Sequence, residues 1–189
     1  MIVNQSHLAI CFIHGAGPQG KGKGSDGLAS SLQRHLAGCE VKRPSMPQPE
    51  APEYEAWKSA LNKEFAALEG EVLLVGHSLG GSVLLKYISE EERLPFTIAG
   101  LFMLAAPCWG ADQDWQEESF QLALRPRKLP VPEDKLYFYH SQEDHVVPFS
   151  HLDAYRQKYP RANYRELNGY SHDYREGLPE LVEDCLQAW

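Results

Sequence analysis

Long apolar runs are missing from the sequence, in which no stretch approaches the ~18 residues that a membrane-spanning helix requires. The N-terminal segment MIVNQSHLAICFIHG has neither a positive flank nor a small-residue cleavage site, so we expect no secretory signal peptide. An excess of positive charge is also missing, because 18 Lys and Arg residues are set against 26 Asp and Glu residues. A nucleic-acid binder needs a clustered basic surface, and this composition argues against one.

Cysteine is scarce and widely spaced. The chain has four cysteines and no C-x-x-C pair, so neither a zinc site nor a redox pair is expected. A chain of 189 residues can bury a sizeable core without disulfides. We therefore expect four free thiols and a cytoplasmic protein. The four residues are Cys11, Cys39, Cys108 and Cys185.

Short apolar segments alternate with amphipathic segments along the whole chain. Tyr54, Trp57 and Leu61 begin a helix-spaced series that Gly70 closes, whereas IAGLFMLA at 98–105 is typical of a buried strand. Strands are predicted at 6–13, 39–43, 72–75, 98–105, 135–140 and 163–167, and helices at 25–38, 54–68, 79–92 and 178–188. Continuous apolar strands favour a sheet covered on both faces, so the pattern predicts a single α/β domain, 1–189, with a mainly parallel sheet.

The segment Gly76-His77-Ser78-Leu79-Gly80 has the G-x-S-x-G pattern of a nucleophile elbow. It lies between a predicted strand and a predicted helix, which is the context that the motif requires. A serine in so tight a turn takes a strained backbone conformation, and the glycines let strand and helix approach closely. Ser78 is therefore the candidate nucleophile.

A serine hydroxyl needs a base to remove its proton. Among eight histidines, His172 follows the last predicted strand and precedes the last helix. Ligands of parallel sheets bind beyond the carboxyl ends of the strands, so this position favours His172 as the base for Ser78. His77 adjoins the serine, but its side chain is expected to point away from the hydroxyl and to be structural. His14 ends the first strand and is expected to shape its loop.

The base in turn needs a carboxylate to orient it. Asp144 directly follows the strand at 135–140 and completes the chain order Ser, Asp, His that this architecture shows. Glu143, its neighbour, is the nearest alternative. Asp112 and Asp114, after the strand at 98–105, are a second alternative.

The features together resemble the α/β-hydrolase superfamily, and within it the chain is similar to the small serine hydrolases related to retinoblastoma-binding protein 9. The resemblance is carried by His14-Gly15 after the first strand, the elbow at Ser78, Asp144 with its Val-Val-Pro tail, and His172. It implies an α/β-hydrolase fold with a trimmed, six-stranded sheet, helices on both faces and no large cap domain.

The same resemblance implies an oxyanion hole. In this superfamily the loop after His-Gly and the residue after the nucleophile each supply a backbone N–H. In this sequence those donors are the N–H groups of Ala16 and Leu79. The resemblance also implies a serine hydrolase that acts on esters or related small acyl substrates. Such an enzyme works through an acyl-enzyme and needs no metal or organic cofactor.

The glycine-rich stretch that follows His14 has two other interpretations. Gly15-x-Gly17-x-x-Gly20 has the spacing of a dinucleotide-binding loop, and Lys21 gives it part of a P-loop. A P-loop requires Ser or Thr after the lysine, where Gly22 stands, and the acid expected about 20 residues beyond a dinucleotide loop has no well-placed counterpart. An oxyanion loop needs only that the backbone approach the reacting carbonyl.

Substrate and activity are the least determined features. Residues 108–132 are long enough to form a partial lid, and five aromatic residues are candidates either for an apolar acyl pocket or for the ordinary core. They are Trp109, Trp115, Phe120, Phe149 and Tyr170. A non-catalytic binding or scaffold protein on the same fold is an alternative. An acyltransferase is another, because it would use the same triad.

Overall fold

The computed structural model describes residues 9–123 and 129–188. In this part of the chain the strands are β1 Ala9–Ile13, β2 Glu40–Lys42, β3 Glu71–His77, β4 Thr97–Leu104, β5 Leu136–Ser141 and β6 Asn163–Leu167. They form one six-stranded sheet in the order β2-β1-β3-β4-β5-β6, with every neighbouring pair parallel. The expected six-stranded α/β architecture is confirmed.

Five α-helices are described, and they cover both faces of the sheet. Their bounds are α1 Asp26–His35, α2 Tyr54–Phe65, α3 Leu79–Glu90, α4 Ser150–Lys158 and α5 Pro179–Ala188. One core cluster contains Trp57 of α2, Val83 of α3 and Leu152 of α4, whereas the other contains Leu28 of α1 and Leu181 of α5. The apolar stripe of each helix is therefore buried against one face of a doubly covered sheet.

The strand order reverses direction between β1 and β3. From β1 the chain moves outward to β2, and from β3 it moves the opposite way to β4, β5 and β6. The loops after β1 and β3 diverge at such a switch point and leave a crevice at the carboxyl ends of the strands. His14 follows β1 and Ser78 follows β3, so the two sequence motifs meet at this crevice.

The element bounds differ from the sequence-based ones mostly by a few residues. The first strand is described from Ala9, and residues 6–8 of its expected range lie outside the described residues. Helix α2 ends at Phe65 rather than at Leu68, because the next residues form turn hydrogen bonds, including one from the Leu68 amide to the Phe65 carbonyl. Strand β6 has an exposed centre, as an edge strand can, so its sequence lacks the continuous apolar run of β3 and β4.

Candidate active site

Ser78 lies in a strained turn between β3 and α3. Its backbone has a φ of +51° and a ψ of −125°, a conformation that non-glycine residues rarely adopt. Its amide donates a hydrogen bond of 2.8 Å to the Leu104 carbonyl at the end of β4. The predicted elbow is therefore present, and helix α3 begins with the next residue, where its N-terminus favours negative charge.

The glycines around Ser78 are required by backbone packing. A Cβ atom on Gly76 would lie 2.5 Å from the Cα atom of Gly81. A Cβ atom on Gly80 would collide with the carbonyl oxygens of Ile13 and His14 at the end of β1. The turn can close only where these side chains are missing.

The loop after β1 packs directly on the nucleophile. A Cβ atom on Gly15 would lie 3.2 Å from the Cβ atom of Ser78. The next residue is Ala16, one of the two expected oxyanion donors. Within the described parts of the chain, the amides of Ala16 and Leu79 donate no hydrogen bond in the turns and loops. Both N–H groups are thus available at the same crevice.

His172 and Asp144 form a hydrogen-bonded pair. The Nδ1 atom of His172 lies 2.8 Å from Oδ2 of Asp144, whose side chain is fully buried. The other carboxylate oxygen of Asp144 accepts hydrogen bonds from the amides of Val146 and Val147, at 2.8 and 3.0 Å. A carboxylate only accepts, so the proton of the pair lies on Nδ1 and leaves Nε2 of His172 as an acceptor.

The ionised form of Asp144 is favoured despite its burial. Burial alone would raise its pKa, but the hydrogen bond and charge of His172 and the two valine amides outweigh it, so the pKa of Asp144 lies below its ordinary value. His140, which the sequence did not single out, also faces this carboxylate, with Nε2 3.5 Å from Oδ2. Its Nε2 proton is directed at the Val147 carbonyl at 2.9 Å, and burial lowers the pKa of His140.

His77 is structural, as expected, and makes a specific set of contacts. Its Nε2 atom lies 2.8 Å from the carbonyl oxygen of His172, and its Nδ1 atom lies 2.8 Å from Oγ of Ser25. Oγ of Ser25 also accepts a hydrogen bond of 3.1 Å from the amide of Gly15. Burial, and secondly the nearby His172, lowers the pKa of His77 to about 4. Ser25 occupies the N-cap position of α1, but its side chain makes no capping hydrogen bond there.

The alternative acids lie elsewhere. Oε2 of Glu143 accepts hydrogen bonds from the Ser141 hydroxyl at 3.0 Å and from the Gly169 amide at 2.8 Å. Asp112 pairs with His151 instead, at 3.0 Å between Oδ2 and Nε2. Asp114 is exposed. Of the acids that the sequence proposed, the structure brings only Asp144 to His172.

The candidate lid segment is packed against the core in its first part. Trp109 contacts Trp115 and Phe120, with ring centroids 5.0 and 5.1 Å apart, and its Nε1 atom donates to the Ser82 hydroxyl at 3.1 Å. Residues 124–128 of the segment lie outside the described residues. Tyr170 packs against the opposite core cluster from Trp109. A shared acyl pocket lined by the five aromatic residues stays a prediction.

The glycine-rich loop is hydrogen-bonded to a carboxylate of the protein itself, that of Asp26 at the start of α1. Oδ2 of Asp26 accepts a hydrogen bond of 2.7 Å from the Gly22 amide, and its other oxygen lies 3.1 Å from Nη1 of Arg43. The Gly17 amide donates to the Pro49 carbonyl at 2.7 Å, which holds the middle of the loop. Lys21, Asp26 and Arg43 line a cavity of about 440 Å³. A bound phosphate would have to compete with this carboxylate.

Two further observations concern metals and membranes. Among residues 9–123 and 129–188, no three His, Cys, Asp or Glu side chains are grouped so as to hold a metal ion. In the same part of the chain, no helix has the length and apolar character needed to cross a bilayer.

Comparison with known proteins gives a consistent result. A family model described as Serine hydrolase matches residues 22–172. The structure is similar to the ydeN gene product from B. subtilis, with 19% identity and a TM-score of 0.75 over 96% of this chain and 98% of that chain. It is also similar to Est1E from Butyrivibrio proteoclasticus, with 17% identity and a TM-score of 0.65 over 98% of this chain and 90% of that chain. A pyrethroid hydrolase from Sphingobium faniae JZ-2 has 15% identity and a TM-score of 0.62 over 96% of this chain and 97% of that chain. No curated protein sequence matches the chain.

The parallel sheet, the elbow at Ser78 and these structural neighbours show that the protein has the α/β-hydrolase fold, with no large cap among the described residues. More narrowly, the match over most of its length shows that the chain belongs to the serine hydrolase family. The kinship with retinoblastoma-binding protein 9 stays a prediction, since it rests on the sequence motifs.

Proposed function

We propose that the protein hydrolyses carboxylic esters through an acyl-enzyme, with Ser78 as nucleophile, His172 as general base and Asp144 as the carboxylate that orients the base. The observation that carries the proposal is the 2.8 Å hydrogen bond between Nδ1 of His172 and Oδ2 of Asp144. The backbone carbonyl of His172 lies 2.8 Å from Nε2 of His77, the residue that precedes Ser78 in its strained elbow. The bond to Asp144 fixes the tautomer in which Nε2 of His172 can take the serine proton.

The reaction proceeds in two halves. Oγ of Ser78 forms a bond to the acyl carbon while its proton moves to Nε2 of His172. The tetrahedral intermediate then breaks its bond to the leaving oxygen, which takes the proton from His172 and departs as the alcohol. Water repeats the sequence on the acyl-enzyme and releases the carboxylic acid, which returns the proton to its starting state.

The N–H groups of Ala16 and Leu79 would bind the oxyanion of both intermediates. Their availability at the crevice supports this role. Loss of one oxyanion donor costs about 10²–10³ in kcat in serine hydrolases, so these amides would supply a substantial part of the rate enhancement.

Short or medium acyl esters are the proposed substrate class. Est1E has been solved with ferulic acid, a carboxylic acid, and the S. faniae neighbour is a pyrethroid hydrolase, so both are compatible with acyl chemistry. Trp109 and Phe149 are half-buried against the core cluster that contains Leu79, and they are the aromatic residues best placed to contact an acyl chain. No cofactor enters the proposed reaction.

The cellular setting is also a proposal. All four cysteines are free and buried, which suits a reducing compartment and supports a cytoplasmic location. Fractionation of cells that express the tagged chain tests this, since recovery outside the cytoplasm would contradict it.

Labelling with a fluorophosphonate probe tests the catalytic assignment. The purified protein, Ser78→Ala, His172→Ala and the control Ser89→Ala are treated side by side, and mass spectrometry locates the adduct. Ser89 is a buried serine on α3 whose hydroxyl donates to the Lys86 carbonyl of the same helix at 2.6 Å. We expect an adduct on Ser78 that is lost in Ser78→Ala, slowed at least 10²-fold in His172→Ala and unchanged in the control.

A p-nitrophenyl ester series from acetate to octanoate, run on the same samples, measures the acyl-chain preference. A folded wild-type protein that neither labels nor turns over any ester would contradict the proposal. An adduct on another residue would contradict the assignment of Ser78.

A further inference from the structure

The hydrogen bonds around His77 have only one consistent set of directions. The carbonyl oxygen of His172 can only accept, so Nε2 of His77 is protonated and donates to it at 2.8 Å. At neutral pH the ring carries one proton, because burial and the neighbouring His172 lower the pKa of His77 to about 4. Nδ1 of His77 must therefore accept, and the Ser25 hydroxyl donates to it at 2.8 Å.

Ser25 completes a chain of hydrogen bonds that crosses the site. With its only proton given to His77, Oγ of Ser25 accepts the amide proton of Gly15 at 3.1 Å. The chain therefore runs in one direction, from the Gly15 amide through Ser25 and His77 to the backbone of His172. Ser25 and His77 each have only 2% of their surface exposed, so water does not compete for these bonds.

The two ends of this chain belong to two different parts of the proposed machinery. Gly15 packs on Ser78 and precedes Ala16, the proposed oxyanion donor. His172 is the proposed base, and its backbone carbonyl is held at the other end. His77 itself precedes the nucleophile. A single connected network thus joins loops that are 52 and 95 residues from His77 in sequence.

We infer that Ser25 and His77 are positioning residues that hold the oxyanion loop and the general base in register with Ser78. The inference rests on the proposed function. Neither side chain takes part in a proton transfer, and each acts through the backbone of a residue that does. A shift of about 1 Å in a reacting group can cost about 10² in rate, so two bonds at this place have a large effect on turnover.

The test compares Ser25→Ala, His77→Phe and the double variant with Ser89→Ala, after titration of each sample with the fluorophosphonate probe to count reactive Ser78. Ser25→Ala removes one hydroxyl from a buried position, and Ser89→Ala does the same on α3. We expect Ser25→Ala to lower kcat by about 10-fold to 10²-fold with KM changed less than threefold, because the reacting groups move while the substrate pocket stays. Ser89→Ala should match wild type.

The double variant shows whether the two residues act as one unit. If the chain is continuous, the double variant loses no more activity than the worse single variant, since either change breaks the same network. Independent roles would give losses that multiply, and that result would overturn the inference.

A spectroscopic readout checks the directions of the bonds without reference to turnover. In ¹⁵N-labelled protein at pH 7, His77 should be the neutral Nε2–H tautomer, and its Nδ1 resonance should shift in Ser25→Ala. An Nδ1–H tautomer or an unchanged Nδ1 resonance would overturn the network. Normal kcat in Ser25→Ala, in protein whose Ser78 labels, would overturn the positioning role alone. Failure of wild type to label would overturn the proposed function and this inference with it.

Discussion

Glu143 and Asp144 are adjacent carboxylates that serve different partners. Oδ2 of Asp144 lies 2.8 Å from Nδ1 of His172, whereas Oε2 of Glu143 accepts the amide proton of Gly169 at 2.8 Å, three residues before that histidine. One acid therefore contacts the imidazole, and the other holds the loop from which the imidazole extends.

This division predicts different effects for two conservative substitutions. Asp144→Asn keeps the shape of the side chain but presents an NH₂ group to His172, which then carries its proton on Nε2 and cannot accept from Ser78. We expect kcat to fall by about 10⁴, the cost of the wrong tautomer in this type of triad. Glu143→Gln keeps an acceptor for Gly169 and should retain activity within about 10-fold. Ester turnover in the two variants measures the difference, and similar losses would contradict the assignment.

The close packing of the elbow predicts a stability difference between two glycines. Gly80→Ala places a methyl group against the backbone carbonyls of Ile13 and His14, which cannot move aside as a side chain could. We expect it to lower the free energy of unfolding by about 3 kcal/mol or more. Gly38→Ala has open space around the new methyl group and should change it by less than about 1 kcal/mol.

Urea unfolding followed by circular dichroism makes this comparison. A single cooperative transition in the wild-type protein is expected if the chain is one domain, as we propose. Equal destabilisation by the two substitutions would show that the contacts at Gly80 do not limit the turn.

The buried ring of His77 predicts how stability depends on pH. Its pKa is about 4 in the folded protein against an ordinary value of 6.5, so the unfolded chain binds more protons between these two values. This contribution is fully present above about pH 7.5 and is lost as pH falls toward 4. Between pH 7.5 and 5 it amounts to about 2 kcal/mol.

Urea unfolding at the two pH values measures the effect in wild type and in His77→Gln. When the pH falls from 7.5 to 5, the free energy of unfolding of the variant should decrease by about 2 kcal/mol less than that of wild type. Asp144 does not interfere, because the lowered pKa of its carboxyl group places its effect below pH 4. His35→Gln, a change at an exposed histidine, should leave the wild-type dependence in place. An identical dependence in wild type and His77→Gln would contradict the burial argument.

The burial of the four cysteines can be tested with a thiol reagent. All four thiols are free and buried, and burial raises the pKa of Cys11 to about 12 and that of Cys108 to about 11. Thiolate is the reactive form, so Ellman's reagent should react slowly with the native protein and rapidly with four thiols in guanidinium. Fast reaction of one thiol in the native state would show an opening near that cysteine.

The fold and the pairing of Asp144 with His172 could be predicted from the sequence, because both depend on local patterns whose geometry the α/β architecture restricts. The elbow glycines could be recognised for the same reason, since the turn closes only where residues without a Cβ atom stand at these spacings. The catalytic roles of these residues stay predictions.

The sequence did not indicate the contacts of Ser25 or His140. Ser25 precedes a helix, which favours an N-cap, but its hydroxyl is used by residues 10 and 52 positions away. His140 lies at the end of β5 and faces Asp144 four residues later, across a turn in which the Asp144 amide donates to the Ser141 carbonyl at 3.2 Å. The Ser25 contacts arise from tertiary packing and the His140 contact from the shape of one turn, and neither leaves a periodic or motif signal in the chain.

The loop after β1 is held by bonds to its own chain at Gly17 and Gly22, the second of them to the carboxylate of Asp26. It is thus ordered before any substrate arrives, and the entropy of fixing it is lost once, when the protein folds. Each encounter with a substrate then avoids that cost, so the proposed oxyanion site would act as a rigid template rather than one assembled by the ligand.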